Sequence, residues 1–285
     1  LTIRPAACDP PDVNEPAPGD FSPATPAPAI EPQPLDFSAA APLLQVLDFH
    51  KTYGEFVAVD GLTFEVRGGE IVGLLGPNGA GKTTTMRAIA GIIPPTRGRL
   101  VVAGHDVVAD PIAAKQQLAY VPDDPRLFET LTVWEHLQFI ASAYGVEHFQ
   151  DSAEELLARF EMTEKRNGLA QELSRGMRQK LAICCAYLHR PKVILLDEPL
   201  TGLDPRGIRT MKQSLLEQAA AGNAVMISSH LLSLVEDLCT HLLIVNHGRR
   251  LFFGRPDEAR TAFADVQGDG SLEEVFFRAT EAKRA

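Results

Sequence analysis

The nine residues "GPNGAGKTT", Gly76 to Thr84, carry the clearest chemistry in this chain. They satisfy the spacing G-x-x-x-x-G-K-[ST] at Gly76, Gly81, Lys82 and Thr83, and Asn78, Gly79 and Thr84 belong to the same loop. Glycines let the backbone curl so that successive N–H groups converge on an anion. A lysine at this place sets a positive charge on the β- and γ-phosphates of a nucleotide, and the hydroxyl after it is a ligand for Mg²⁺. A helix starting at Lys82 aims its positive end at the same spot. A chance glycine turn needs neither an apolar strand before it nor a helix after it, and the pattern here has both. Alone, the loop specifies an NTPase or a small-molecule kinase.

A second constellation is "VILLDEP", Val193 to Pro199. An apolar strand delivers Asp197 to its C-terminal end, where ligands sit in open α/β sheets. Asp197 is placed to hold Mg²⁺, and Glu198 to orient and deprotonate an attacking water. The plain alternative is a strand ending in a solvated acidic turn. A third stretch, "LSRGMRQK" (Leu173 to Lys180), reads by itself as the front of a basic surface helix; its Ser174 lies 23 residues before Asp197.

Such residues must be held by strands and helices, and the pattern supplies them. "LLQVLDF" and "LTFEV" alternate as strands. "IVGLLG" (71–76), "VILLD" (193–197), "AVMISS" (224–229) and "HLLIVN" (241–246) are apolar runs suited to a sheet covered on both faces. "RRLFFG" (249–254) reads as one more strand. A helix is expected from Lys82 to about Ala90. Between Thr130 and Leu169 the period turns helical, in "LTVWEHLQFIASAYG" and "DSAEELLARFE". The reading is an α/β core with a helical insertion between its halves.

Residues 1–43 hold 11 of the 21 prolines and six acids against one Arg. Such a segment sustains neither helix nor central strand and reads as a disordered, partly polyproline arm. The remainder, 44–260, reads as one domain, followed by a helical extension at 261–285 in which "SLEEVFFRATEA" is amphipathic. The longest apolar run, "LAICCAYL", is eight residues, far short of the ~18 that span a bilayer. The first residues lack the apolar core of a signal peptide, so cytoplasmic residence is expected. A net charge of −10 disfavours nucleic acid as a partner. The four cysteines make no C-x-x-C pair, and the adjacent Cys184 and Cys185 read as small buried residues on different faces of a helix.

Six motifs occur in a fixed order: "GPNGAGKTT", "YVPDDP", "LSRGMRQK", "VILLDEP", "TGLDP" and "SSH". In this ordered set the chain resembles the ATPase subunits of ATP-binding cassette (ABC) transporters, over about residues 44–260. The resemblance implies a P-loop NTPase core with a mostly parallel sheet, an antiparallel β subdomain and an inserted helical subdomain at about 125–180. It implies ATP and Mg²⁺ as ligands. It makes Tyr53 the aromatic that stacks on adenine, Asp204 the residue that couples two sites across a dimer, and His230 a contact for γ-phosphate and water. Ser174 and Gly176 would face ATP bound to a second chain. The family commonly has LSGGQ. Here Arg175 and Met177 stand at the changed places, which leaves the hydroxyl and the backbone donors intact; Arg175 either adds charge near the nucleotide or faces solvent, and the solvent reading is preferred. The family usually has Gln where Asp123 stands. Asp123 can ligate Mg²⁺, as can Asp124 if the loop shifts, while an acidic turn without a metal is the alternative.

The resemblance further implies a homodimer or a paired ABC ATPase subunit, a separate transmembrane permease, and a place on the inner face of the cell membrane. The LSRGM-type signature is similar to that of a branch serving ABC-2-type exporters. The rival reading is a soluble ABC-type ATPase that acts on ribosomes or DNA.

Overall fold

A computed structural model describes residues 41–229, 235 and 237–262. Most of the proline-rich arm, His230 and the C-terminal amphipathic segment lie outside the described residues.

The chain begins with an antiparallel hairpin, β1 (Leu44–Tyr53) and β2 (Phe56–Val66), then enters β3 (Ile71–Leu75), the glycine loop and α1 (Lys82–Ile89). Next come β4 (Arg97–Val102), β5 (His105–Asp106), α2 (Pro111–Gln116) and β6 (Leu118–Val121). A helical stretch follows: α3 (Val133–Tyr144), α4 (Gln150–Arg159) and α5 (Arg175–Leu188). The chain then returns to β7 (Val193–Asp197), α6 (Pro205–Ala220), β8 (Ala224–Ser228), β9 (His241–Asn246), β10 (Arg249–Gly254) and a short helix at Pro256–Ala262.

The strands form two sheets. One is antiparallel, in the order β2-β1-β4-β5; the other has the order β10-β9-β3-β8-β7-β6, with parallel pairing from β9 through β6 and β10 antiparallel at the edge. The fold is therefore the expected mixed α/β core with an antiparallel β portion and a helical portion. Strands β4 and β6 were not marked by the sequence pattern: "RGRLVV" opens with two arginines around a glycine, and "LAYV" is only four residues long.

Side-chain alternation in the central strands sorts the interior into two cores. Ile71, Leu75, Ile194, Leu196, Val225 and Ile227 face the helices, where they join Leu157, Phe160 and Leu181. Val72, Leu74, Val193, Leu195, Ala224 and Met226 face the other way, onto Phe49, Phe64 and Met86. Burial on both faces is why these strands read as unbroken apolar runs.

Helix starts follow local rules. Thr132 caps α3 in a reciprocal box: its Oγ1 accepts from the Glu135 N–H at 3.2 Å, and the Glu135 carboxylate accepts from the Thr132 N–H at 2.7 Å. Gly145, at φ 66°, ends the same helix. Ser174 caps α5, accepting from the Met177 N–H at 3.3 Å. Among the described residues no helix is long and apolar enough to cross a membrane.

Candidate functional site

The glycine loop leaves the C-terminal end of β3 and enters α1 at Gly81, whose φ of +100° suits glycine alone. A Cβ on Gly81 would lie 2.7 Å from the Ala58 carbonyl oxygen, and one on Gly76 would strike the Val245 carbonyl oxygen. Both glycines are therefore required by the packing of this loop against β2 and β9. Asn78, Gly79 and Thr83 are exposed at its rim; Thr84 is partly buried. Lys82 folds its ammonium back over the loop, donating to the carbonyls of Gly76 at 2.7 Å and Pro77 at 3.2 Å. Burial lowers the pKa of this ammonium, against the opposing pull of the Glu198 and Asp197 charges.

Those two carboxylates sit at the end of β7, next to β8 in the sheet, with Asp197 in register with Ser228. Asp197 is buried and its two oxygens are divided: Oδ2 accepts from the Thr83 hydroxyl at 3.0 Å, and Oδ1 accepts a short bond from the Ser228 hydroxyl. A buried charge survives only with such partners. Glu198 follows in a left-handed conformation, φ 50°, unfavourable for a non-glycine residue. Its N–H holds that turn by donating to the Ser228 carbonyl at 3.1 Å and to Ser228 Oγ at 3.2 Å. Ser228 thus positions both acids. The sequence reading named "SSH" for its histidine and missed this serine; the available signal was a polar pair closing an otherwise apolar strand. Tyr120 of β6 was missed too. Its phenol has a raised pKa, through burial first and the Asp197 charge second.

A second group gathers around the N-terminus of α5. Gly176 packs on the backbone of Gly202: a Cβ there would come within 2.5 Å of the Gly202 carbonyl oxygen. Asp204 caps α6, accepting from the Gly207 N–H at 3.1 Å, with Lys180 at 3.8 Å. Met177 packs against the helix-side core, so the change from the family's glutamine supplies packing. Arg175 is exposed and also reaches a partner. Its Nη2 donates to Asp123 Oδ1 at 2.9 Å. Tyr53, at the end of β1, is half-exposed, and its ring carries the Lys51 ammonium at 5.0 Å from the centroid. The contacts thus join Lys82, Thr83, Asp197, Glu198 and Ser228 in one cluster and Ser174, Gly176, Arg175 and Asp123 in another. Tyr53 stands apart from both sets of contacts.

Cys184 and Cys239 are buried, and Cys185 is partly buried on the groove side of α5. Burial pushes Cys185 and Cys239 up to about 12 and Cys184 well above its ordinary value. Among the described residues no cluster of three or more His, Cys, Asp or Glu could hold a metal; the candidate Mg²⁺ ligands are instead a hydroxyl and a carboxylate.

A buried strand, a glycine loop, a lysine over the loop and a Thr–Asp pair that joins the start of α1 to the end of β7 define a phosphate-binding NTPase of the P-loop class. Comparison with known proteins narrows the class. Residues 59–201 match the family described as ABC transporter. The ABC-type transporter ATP-binding protein EcsA of Bacillus subtilis is 34% identical over 84% of this chain and 97% of its own length. Nod factor export ATP-binding protein I of Cupriavidus metallidurans is 33% identical over 76% of this chain and 72% of its own. A solved structure of an ATP-binding subunit of an ABC transporter superposes with a TM-score of 0.79 at 35% identity, covering 83% of this chain and 99% of that one. The chain belongs to the ABC transporter family, as an ATP-binding subunit with ATPase activity.

Proposed function

We propose that this chain powers an exporter, driving a separate membrane permease through ATP-dependent pairing of two ATPase subunits. The observation that carries a partner surface is an apolar groove of about 260 Å³ between the loop after β6 and helices α3 and α5. Its lining includes Phe128, Phe139, Ile140 and Tyr144, with Phe128 55% and Phe139 49% exposed. Exposed aromatics beside a built groove fit a docking partner. The groove wall is pre-set: His136 accepts from the Phe128 N–H at 3.0 Å and, through Nδ1–H, donates to the Thr132 carbonyl at 2.7 Å. The export function in the name of the Nod factor relative, together with the LSRGM-type signature, supports the direction of transport.

We assign the residues the following roles in this reading. Phosphate oxygens of ATP replace the Gly76 and Pro77 carbonyls as partners of Lys82, while the loop N–H groups and the α1 N-terminus bind the same phosphates. The Thr83 hydroxyl and the Asp197 carboxylate are hard oxygen donors that fit Mg²⁺. When bound, that ion neutralises charge on the transferred phosphoryl group. Glu198 takes the proton of the attacking water on its carboxylate, and His230 contacts water and γ-phosphate. Tyr53 stacks on adenine. Ser174, Gly176 and Asp204 complete the site of a second chain, so that a C2 pair encloses two nucleotides. The protein then works on the cytoplasmic face of the membrane, attached through its permease.

Affinity purification from membranes tests the reading. A membrane protein with several spans is expected to co-purify, and to be lost when Phe139 is replaced by Asp. Recovery of ribosomes or DNA in its place would favour the non-transport alternative.

A further inference from the structure

Two of the places where this chain departs from the usual ABC pattern touch each other. Arg175 and Asp123 lie 52 residues apart and meet at 2.9 Å. Asp123 sits between Pro122 and Pro125, which line the groove, and prolines restrict the loop backbone on either side of it. Arg175 is the first residue of α5, between Ser174 and Gly176. Its stem crosses Gly202, where Cγ and Cδ would both lie 3.3 Å from an added Cβ. One side chain therefore spans the signature, the loop after β6 and the loop leading into α6. The two partners are 53% and 49% exposed, so the pair adds little to folding stability. Its geometry is nevertheless specific, because the guanidinium donates from a rigid planar fork.

We propose that the Arg175–Asp123 pair is a positioning latch for ATP turnover: it holds Ser174 and Gly176 in place relative to the 122–125 loop, and the Asp123 carboxylate is taken up by Arg175 instead of by a metal ion. The latch rests on the two-chain site proposed above, whose failure shows separately, as the absence of an ATP-dependent dimer in Glu198→Gln.

Steady-state ATPase assays on the full chain, titrated in ATP and in Mg²⁺, test it. Arg175→Met, which keeps the stem alone, and Asp123→Ala are each expected to lower kcat about three- to ten-fold while the KM for ATP moves less than about two-fold. Arg175→Lys keeps the charge and is expected to lose less. The exchange Asp123→Arg with Arg175→Asp is expected to recover most of the loss, with half-saturating Mg²⁺ unchanged throughout. The latch is overturned if Asp123→Ala raises the Mg²⁺ requirement while Arg175→Met is silent, which would make Asp123 a metal ligand. It is equally overturned if both single variants turn over normally, or if Arg175→Lys is no better than Arg175→Met and the exchange recovers nothing. Melting temperatures close to that of the unaltered chain identify variants that are folded.

Discussion

The hydroxyl of Thr83 donates to Asp197 Oδ2 at 3.0 Å, across 114 residues of sequence, and so joins the phosphate loop to the end of β7. Both groups are oxygen donors of the kind Mg²⁺ prefers. Thr83→Ala removes one donor and leaves Asp197 a partner short. Mg²⁺-dependent ATP hydrolysis is expected to fall at least about ten-fold, a loss of roughly 1.4 kcal/mol of transition-state stabilisation, with Thr83→Ser restoring it. An Mg²⁺ titration of the three proteins checks this; equal curves for Thr83→Ala and the unaltered chain would contradict it.

Ser228 offers a sharper separation of position from chemistry. Its hydroxyl donates to Asp197 and accepts from the Glu198 N–H, yet it touches no proposed ligand position of its own. Ser228→Ala leaves a buried carboxylate oxygen unpaired, at a cost of about 1–3 kcal/mol. Thermal unfolding is expected to show that loss, and kcat to drop with little change in nucleotide affinity. Normal turnover in a destabilised protein would mean that Ser228 is structural only.

Gly176→Ala pits two effects against each other. Alanine favours helix by about 1 kcal/mol over glycine. Its Cβ, however, would lie 2.5 Å from the Gly202 carbonyl oxygen, a backbone atom that cannot swing aside. Overpacking of this kind costs about 1–3 kcal/mol, so the clash is expected to win. The melting temperature should fall by about 2–4 °C per kcal/mol of net loss for a domain of this size. A rise would show that the loop at Gly202 yields freely.

The thiols provide a test of burial. Burial pushes Cys239 up to about 12, so the reactive thiolate is far scarcer there at pH 8 than in a free cysteine. Mass spectrometry after brief alkylation should find the buried Cys184 and Cys239 unmodified in the native protein and modified after denaturation. Rapid native labelling of Cys239 would mean that its packing under β3 opens.

Much of the site was legible because its rules are local. The phosphate loop needs glycines and a lysine within nine residues, and the α5 start needs a serine before a helical run. The central strands announced themselves because both faces are buried. What escaped notice depends on pairing across the chain. Ser228 reaches Asp197 over 31 residues, and Arg175 reaches Asp123 over 52. No periodicity records such meetings. Strand β6 escaped for a related reason: four residues hold too little pattern, and its place beside β7 supplies the burial that makes it a strand.

In the function proposed above, Glu198 activates water in a site completed by a second chain. Glu198→Gln keeps the backbone turn and removes the proton acceptor. Measured together by light scattering and phosphate release, this variant is expected to bind ATP, form a dimer that persists, and hydrolyse ATP at least about a hundred-fold more slowly than the unaltered chain. A variant that stays monomeric with ATP and releases phosphate at the normal rate would contradict both halves of the claim.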